Sequence, residues 1–347
     1  MDLQISRPGL VAPVAIDPTG RTGPTAGQAR GPRWCRVGPN SYVPRDCPDT
    51  VMQRIVEAVG SMPPGSAATG WAALHWLGAR WFDGVRPDGT PLPVPIAVGD
   101  RHAARRRDGV TVSEDWLFAD DIIVVDGLPI TTPARSVTYE ARVATDEIAT
   151  VRVIDMAAYD DLASLAEIRA YTARLISRPG KRRLERATDL ADENAWSPME
   201  VTMRIFWQRH RNRPLLCNQP VFDLTGSHLF TPDLIDVAGG VAGEYNGSVH
   251  DTGPRRSRDL TREELTRRLG IEVVTMMGGR GEERRFRHRL DGAYERAGAD
   301  RIRRWTTQQP PWWVDTSTVA RRRALSPADR ERWLGHRRTG QDRRETA

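Results

Sequence analysis

The chain has 347 residues, of which 39% are hydrophobic, and a formal net charge of +6. This length and composition allow an apolar core in each of two domains. No apolar run reaches the length of a membrane span, and the chain does not open on a basic and then apolar signal segment, so we expect a cytoplasmic protein with no membrane partner. Its three cysteines are widely spaced and odd in number, which favours reduced thiols over a disulfide framework or a zinc site.

The first part of the chain predicts a mixed α/β region. Residues 1–33 are rich in Gly, Pro and Thr, which predicts a flexible arm. Residues 34–194 predict a small β-sheet with helices, ending in a helical connector. The predicted elements are a hairpin over 34–44, helices over 49–59 and 67–77, strands at 95–98, 110–112 and 122–125, and helices over 133–144, 146–158, 164–176 and 181–191.

From residue 195 the pattern changes to a helix, several strands, a helix, a strand and a helix. The first helix opens on a capping box, in which Ser197 is the N-cap, Pro198 the first helical residue and Glu200 the third. The Glu200 carboxylate could accept the Ser197 backbone N–H, pair with Arg204 one turn later, or belong to a functional site. Strands are predicted over 215–222, 228–230, 234–237, 241–245 and 271–276, and helices over 257–269 and 282–297.

Two acids in this region lie in short apolar runs that are joined by a Gly-Gly turn. Asp233 follows Thr-Pro and opens the first run, whereas Glu244 ends the second, so the segment predicts a hairpin of half-buried strands. Strand alternation places Asn246 on the same face as Glu244. Because a buried carboxylate is costly unless it is paired, hydrogen-bonded or bound to a cation, the two acids, with Glu200, suggest a site for Mg²⁺ or Mn²⁺ and a phosphodiester.

A wider set of residues has a recognisable order. It consists of a Ser-Pro-x-Glu helix start, an acid in a strand, Glu-Tyr-x-Gly, a histidine, Arg-Asp-x-x-Arg and a glycine before the last strand. In this chain the set falls on Ser197, Glu200, Asp233, Glu244, Tyr245, Gly247, His250, Arg258, Asp259, Arg262 and Gly270. In these motifs, residues 195–297 resemble the very short patch repair-like endonuclease domains, a branch of the restriction-endonuclease-like fold. The resemblance implies an α/β domain with the element order αβββαβ.

The resemblance also implies roles for individual residues. Asp233 and Glu244, supported by Glu200, would hold Mg²⁺ or Mn²⁺. His250 would act as a general base or stabilise developing charge, and Asn246 would help to orient water at the position where most of the fold has lysine. The substrate would be nucleic acid, with DNA favoured over RNA. Three arginines are expected to contact it, namely Arg204, Arg258 and Arg262.

The N-terminal half resembles the AbiEi-type antitoxin region that precedes such domains in some proteins. The residues that carry this likeness are Val37–Pro44, Gly127–Ser136 and Asp155–Ala157. The resemblance implies a cognate toxin or another protein as a partner. Three functions therefore stay open at this point: a metal-dependent nuclease, a nucleic-acid-binding regulator without turnover, and an antitoxin-like interaction protein.

The last fifty residues carry the excess positive charge. Residues 298–347 contain twelve arginines and six acids. Four tryptophans are interspersed among these arginines, namely Trp305, Trp312, Trp313 and Trp333. Such a tail could hold a nucleic-acid backbone and stack on its bases, or it could pack its tryptophans against the body of the protein.

Overall fold

The chain is a mixed α/β protein of two compact units. The computed structural model describes residues 3–99, 107–246, 265–266, 268–297 and 303–339. One unit comprises residues 1–145 and 166–185, and the other comprises 146–165 and 186–347. Among the described residues, no helix is long and apolar enough to cross a membrane.

The first unit is built on a hairpin and a five-stranded sheet. The hairpin joins β1 (Trp34–Gly38) to β2 (Ser41–Pro44), as predicted. The sheet strands are β3 (Ala67–Ala68), β4 (Val94–Ala97), β5 (Val110–Ser113), β6 (Ile122–Val125) and β7 (Leu128–Thr131), in the spatial order β5-β4-β3-β7-β6. The helices are α1 (Val51–Gly60), α2 (Gly70–Trp76) and α3 (Pro133–Val143).

Two sequence predictions for this unit were wrong in detail. The helix predicted over 67–77 begins only at Gly70, because Ala67 and Ala68 form the central strand β3 between β4 and β7. Strand β7 was not predicted, although it forms a hairpin with β6 across the local Asp126-Gly127 turn. For β3, pairing with strands that are distant in the sequence decides the structure, and local propensity does not report it.

The N-terminal arm, residues 3–33 of the described chain, contacts the first unit at several points. It has little regular structure, but Val14 forms an antiparallel bridge with Tyr42. The Arg7 guanidinium donates to the Trp76 carbonyl at 2.6 Å and lies over the Trp76 ring. These contacts anchor the arm to the first unit. They offset the conformational entropy that is lost when this segment is ordered.

The second unit contains a four-stranded and a three-stranded sheet. The four-stranded sheet has the order β13-β12-β11-β8, with β12 and β13 parallel and the other pairs antiparallel. The three-stranded sheet has the order β10-β9-β14. The strands are β8 (Leu216–Cys217), β9 (Val221–Asp223), β10 (His228–Phe230), β11 (Leu234–Asp236), β12 (Val241–Asn246), β13 (Glu272–Met277) and β14 (Trp305–Thr306).

The remaining helices complete the architecture. They are α4 (Glu147–Tyr159), α5 (Leu165–Arg174), α6 (Lys181–Leu190), α7 (Pro198–Arg211), α8 (Glu282–Ala297), α9 (Val319–Arg323) and α10 (Pro327–Thr339). The boundary between the units falls at the start of α5 and within α6, so α4 belongs to the second unit. The sequence pattern had placed α4 in the predicted region 34–194. Its packing against α7, which lies later in the chain, is not visible in a local pattern.

Helices α7 and α8 cover one face of the four-stranded sheet. Met203 and Trp207 of α7 share a buried apolar cluster with Phe286 and Leu290 of α8. Gly243 of β12 lies directly beneath α7, and a Cβ atom added there would come within 2.6 Å of the Trp207 ring. The glycine therefore allows close approach of β12 to the middle of α7.

The strand predicted over 215–222 is two strands in two different sheets. Asn218 has a positive φ of 46°, which breaks the extended backbone between β8 and β9. Pro220 follows and cannot donate a ladder hydrogen bond. β8 therefore pairs with β11, whereas β9 pairs with β10 and β14.

The described part of the basic tail, residues 303–339, packs on the body of the second unit. Trp305 is 3% exposed in β14, which pairs with β9. Arg322 is fully buried and its Nε lies 2.6 Å from the Asp161 carboxylate. Of the two alternatives that the sequence left open, packing is confirmed for these residues, although Trp312 remains 53% exposed.

Candidate active site

The predicted acidic hairpin is confirmed, and its register places the two acids at one end of it. Leu234 of β11 pairs with Gly243 of β12, so Asp233, just before β11, and Glu244 adjoin the last pair of the hairpin. The Tyr245 backbone N–H donates to Asp233 Oδ2 at 2.7 Å, which orients this carboxylate at the strand end. The hairpin therefore brings the two acids to the same end of β11 and β12.

A polar row extends from these acids across the sheet. On one side, the Asn218 backbone N–H donates to the Asp233 carbonyl at 2.9 Å. On the other side, Glu244 pairs with Thr275 of the parallel strand β13. Asn218 directly follows β8 and Asp233 directly precedes β11, so the row runs from these two residues to Glu244 of β12 and Thr275 of β13. The row lies at one end of the short central strand β11.

The acids and the covering helices lie on opposite faces of the sheet. Ile235 and Ala242 belong to a second apolar cluster, distinct from the one that packs on α7 and α8. Asp233 and Glu244 lie two residues from them along their strands and therefore share their face. Both acids are half-buried, whereas Asn246 at the end of β12 is exposed. The predicted alternation of Glu244 and Asn246 is confirmed by the uninterrupted strand.

Glu200 approaches this row from the first turn of α7. Its backbone N–H donates to Ser197 Oγ at 3.2 Å, which confirms the N-cap. Its Oε2 accepts the Trp196 backbone N–H and the Asn218 side-chain N–H, each at 2.8 Å. The reciprocal bond of the capping box therefore goes to Trp196 rather than to Ser197. Because Asn218 also holds the Asp233 carbonyl, Glu200 is connected to the polar row through this one residue.

The protonation of Glu200 follows from its surroundings. Burial raises the pKa of Glu200 to about 8, and the negative charge of Asp233 adds to this effect, whereas the bonds from Asn218 and Trp196 oppose it. At neutral pH, Glu200 therefore carries a proton while it occupies the centre of a polar network. A buried acid whose pKa lies near neutrality is typical of functional sites.

The raised pKa of Glu200 predicts a pH-dependent stability. Its folded pKa of about 8 exceeds its ordinary value of 4.5, so the folded state binds more protons between these pH values and stability falls as pH rises through this window. Glu200→Gln, which cannot ionise, should flatten that fall. Urea unfolding at several pH values from 4.5 to 8 measures the difference between the wild type and the variant.

Glu283→Gln provides the matched control for this prediction. Glu283 lies on the surface of α8 in an exposed ion pair with Arg287. The control should leave the pH dependence of stability at its wild-type slope. A difference in the free energy of unfolding between the wild type and Glu200→Gln that stays constant from pH 4.5 to 8 would contradict the prediction.

Arg204 does not have the role that the sequence suggested. It is 1% exposed, and its guanidinium lies 2.6 Å from the buried Asp155 carboxylate of α4. Its Nη1 also donates to Cys217 Sγ at 3.4 Å. Burial lowers the pKa of Arg204, but Asp155, Cys217 and Asp192 together outweigh burial, so the pKa is raised overall. Arg204 is therefore a structural cation within the core, paired with Asp155 and not with Glu200.

Some of the predicted site residues lie outside the described part of the chain. These are Gly247, His250, Arg258, Asp259 and Arg262. Within the described ranges, no group of three or more His, Cys, Asp or Glu residues could hold a metal ion. The structure places Asp233 and Glu244 at one end of the hairpin and connects Glu200 to them through Asn218 and through the charge of Asp233.

Sequence reasoning missed two residues that support the site. The first is Asn218, whose only sequence signal is an amide that interrupts an apolar run just before Gln-Pro. The second is Asp236, which is 1% exposed and accepts bonds from the Gly239 backbone N–H at 2.8 Å and from the Tyr294 hydroxyl at 2.7 Å. Asp236 thus fixes the hairpin turn and ties it to α8.

No protein-family model, curated protein or solved structure matches this chain. The fold itself defines the class, a mixed α/β protein with several small sheets and helices on both units. Any assignment of function therefore rests on the chemistry of the second unit and its polar row.

Proposed function

We propose that the second unit is a metal-dependent nuclease with a restriction-endonuclease-like fold, similar to the very short patch repair-like domains. The observation that carries this proposal is the pair Asp233 and Glu244 at the end of the central hairpin. The order of a helix, antiparallel strands, a parallel strand and a closing helix supports it. The expected substrate is nucleic acid, with DNA favoured over RNA.

The donor set fits Mg²⁺ or Mn²⁺. Mg²⁺ is usually bound through one or two carboxylates, with water and substrate phosphates completing its shell, and does not require a cage made only of protein ligands. Asp233 and Glu244 supply two hard oxygen donors from adjacent strands. When bound, the metal would polarise the phosphate and lower the pKa of attacking water.

The other residues of the site position these two acids. The Tyr245 N–H holds Asp233 Oδ2, and the Asn218 N–H holds the Asp233 backbone. Glu200 holds the Asn218 side chain, so it is connected to Asp233 through a hydrogen-bonded link, and the negative charge of Asp233 favours the protonated form of Glu200. Exposed Asn246 offers an amide to water or a phosphate on the same face as Glu244. Each of these contacts restrains the acids before substrate arrives.

The proposal assigns three further roles on the basis of the family resemblance. His250 would serve as the general base or as a charge stabiliser, because its ordinary pKa lies near neutrality. Arg258 and Arg262 would contact phosphates of the substrate. Arg204 has no such role, since it is enclosed in the core and paired with Asp155.

Incubation of the wild-type protein with plasmid, single-stranded DNA and RNA tests this function. We expect strand cleavage in Mg²⁺ or Mn²⁺ and its loss in EDTA. Cleavage that persists in EDTA would contradict a metal-dependent site. Salt-sensitive binding of nucleic acid without any cleavage would instead support the regulator alternative, which the substitution of Asn246 for the usual lysine favours.

A further inference from the structure

A cavity of about 290 Å³ lies beside the candidate active site, within the second unit. Its wall contains three indole rings and one imidazole ring, those of Trp196, Trp313, Trp333 and His228. The first ring precedes α7, the imidazole lies in β10, and the other two come from the basic tail. Packing of the tail on the body therefore creates this aromatic wall.

The rings of the cavity support one another. Trp313 lies 5.1 Å from Trp333 and 5.0 Å from His228, measured between ring centroids. Behind it, Phe222 is fully buried at 5.1 Å and packs edge-on against Trp313. The wall is therefore backed by the core of the three-stranded sheet, and it presents partly exposed ring surface to the cavity.

The polar lining is mostly uncharged. It includes the side chains of Asn218, Gln219 and Gln309. Amides offer both hydrogen-bond donors and acceptors, which matches the edges of nucleobases. Burial lowers the pKa of His228, so its ring is neutral at pH 7. The ring Nε2 lies 3.0 Å from the Thr231 hydroxyl oxygen. The charged residues of the lining are Arg332 and Asp315, and Asp315 is paired with Arg321.

The cavity and the candidate active site share a wall. Trp196 and Asn218 line the cavity, and both donate hydrogen bonds to Glu200 Oε2. Thr231 also lines it and precedes Asp233 by two positions. A ligand in the cavity would therefore lie next to the polar row that holds the two acids.

We infer that this cavity takes one unpaired nucleobase of the nucleic-acid strand. Its volume of about 290 Å³ lies at the lower end of the range for ligand pockets, which accommodates a single base with its sugar but not a base pair within a duplex. Aromatic faces stack on any base, and the amides can bond to its edge. The inference rests on the proposed function and extends it to a substrate with an unpaired base beside the cleaved phosphate.

Binding of single strands in EDTA tests the inference without depending on cleavage. The probe is a fluorescein-labelled DNA strand of about 12 nucleotides, compared by anisotropy with a strand of the same length built from abasic sites. We expect the wild type to bind the complete strand about 10-fold more tightly, because stacking of one base is worth that order of affinity.

A matched pair of tryptophan variants locates the effect. Trp333→Ala should remove most of the preference for the complete strand and leave affinity for the abasic strand unchanged. Trp116→Ala is the control, since Trp116 is 44% exposed in the first unit and does not line the cavity. Equal wild-type affinity for the two strands would overturn the inference, as would an equal loss for both strands in Trp333→Ala.

The outcome separates this inference from the proposed nuclease. If the protein cuts in Mg²⁺ but binds both strands equally, the base pocket is rejected and the nuclease proposal stands. Base-dependent binding by a protein that never cuts supports the pocket and rejects the nuclease. The wild-type comparison of the two strands needs no variant, so it stays decisive even if Trp333→Ala does not fold.

Discussion

Asp233→Asn is expected to lower metal-dependent cleavage by at least about 100-fold, because a bound metal contributes several kcal/mol of transition-state stabilisation. The substitution removes one of the two negative charges and keeps the size of the side chain. The amide oxygen can still accept the Tyr245 N–H, so the hairpin should remain folded. Initial rates of strand cleavage at saturating Mg²⁺ measure the loss, and circular dichroism confirms the fold.

Variants at Glu244 and at Glu272, two other acids of the same sheet, add a second test and a control to this experiment. Glu244→Gln should lose activity to a similar extent, and the double variant should lose little more, since the pair acts as a unit. Glu272→Gln is the control: Glu272 lies on the adjacent strand β13 in a surface ion pair with Arg296, and its loss should leave the rate unchanged. Wild-type cleavage by Asp233→Asn would reject the pair as the catalytic centre.

The hairpin that carries the acids was predictable because its determinants are local. Gly239 and Gly240 mark the turn, and the alternation of apolar residues sets which face each side chain occupies. Once the turn is fixed, the register follows, and it brings Asp233 and Glu244 to the same end of the hairpin. The closing helix over 282–297 was likewise predicted correctly from its local pattern.

The environment of Glu200 could be predicted only in part. Its cap by Ser197 is local and was foreseen from the capping box. Its bond to Asn218 was not foreseen, because it depends on the kink between β8 and β9. The raised pKa of Glu200 depends on the burial of its side chain and on the negative charge of Asp233. The sequence pattern reports neither of them.

The aromatic cavity depends on still longer-range packing. Trp196 and Trp333 are far apart in the sequence, and they line one cavity only because the tail packs on the three-stranded sheet. Sequence composition pointed to the tryptophans of the tail, but it offered no way to choose between packing and base stacking. In the structure, Trp313 packs against Phe222 and Trp333.

Arg204→Met is expected to destabilise the second unit by about 3–5 kcal/mol, the usual cost of removing one partner from a buried ion pair. The Asp155 carboxylate is fully buried and would lose the guanidinium that lies 2.6 Å away. Because this pair joins α4 to α7, the substitution should also weaken the packing of α4 against α7. Urea unfolding at pH 7 measures the change in the free energy of unfolding.

Two further variants identify the origin of that loss. Arg209→Met removes the exposed ion pair of the same helix with Glu147 and should cost only about 0–1 kcal/mol. The double variant Arg204→Met with Asp155→Leu should recover much of the stability, because it removes both buried charges and fills the space with apolar atoms. A mild effect of Arg204→Met, similar to that of Arg209→Met, would contradict the buried pair. A folded Arg204→Met protein of wild-type stability that no longer bound DNA would return Arg204 to the nucleic-acid-contacting role that its sequence position suggested.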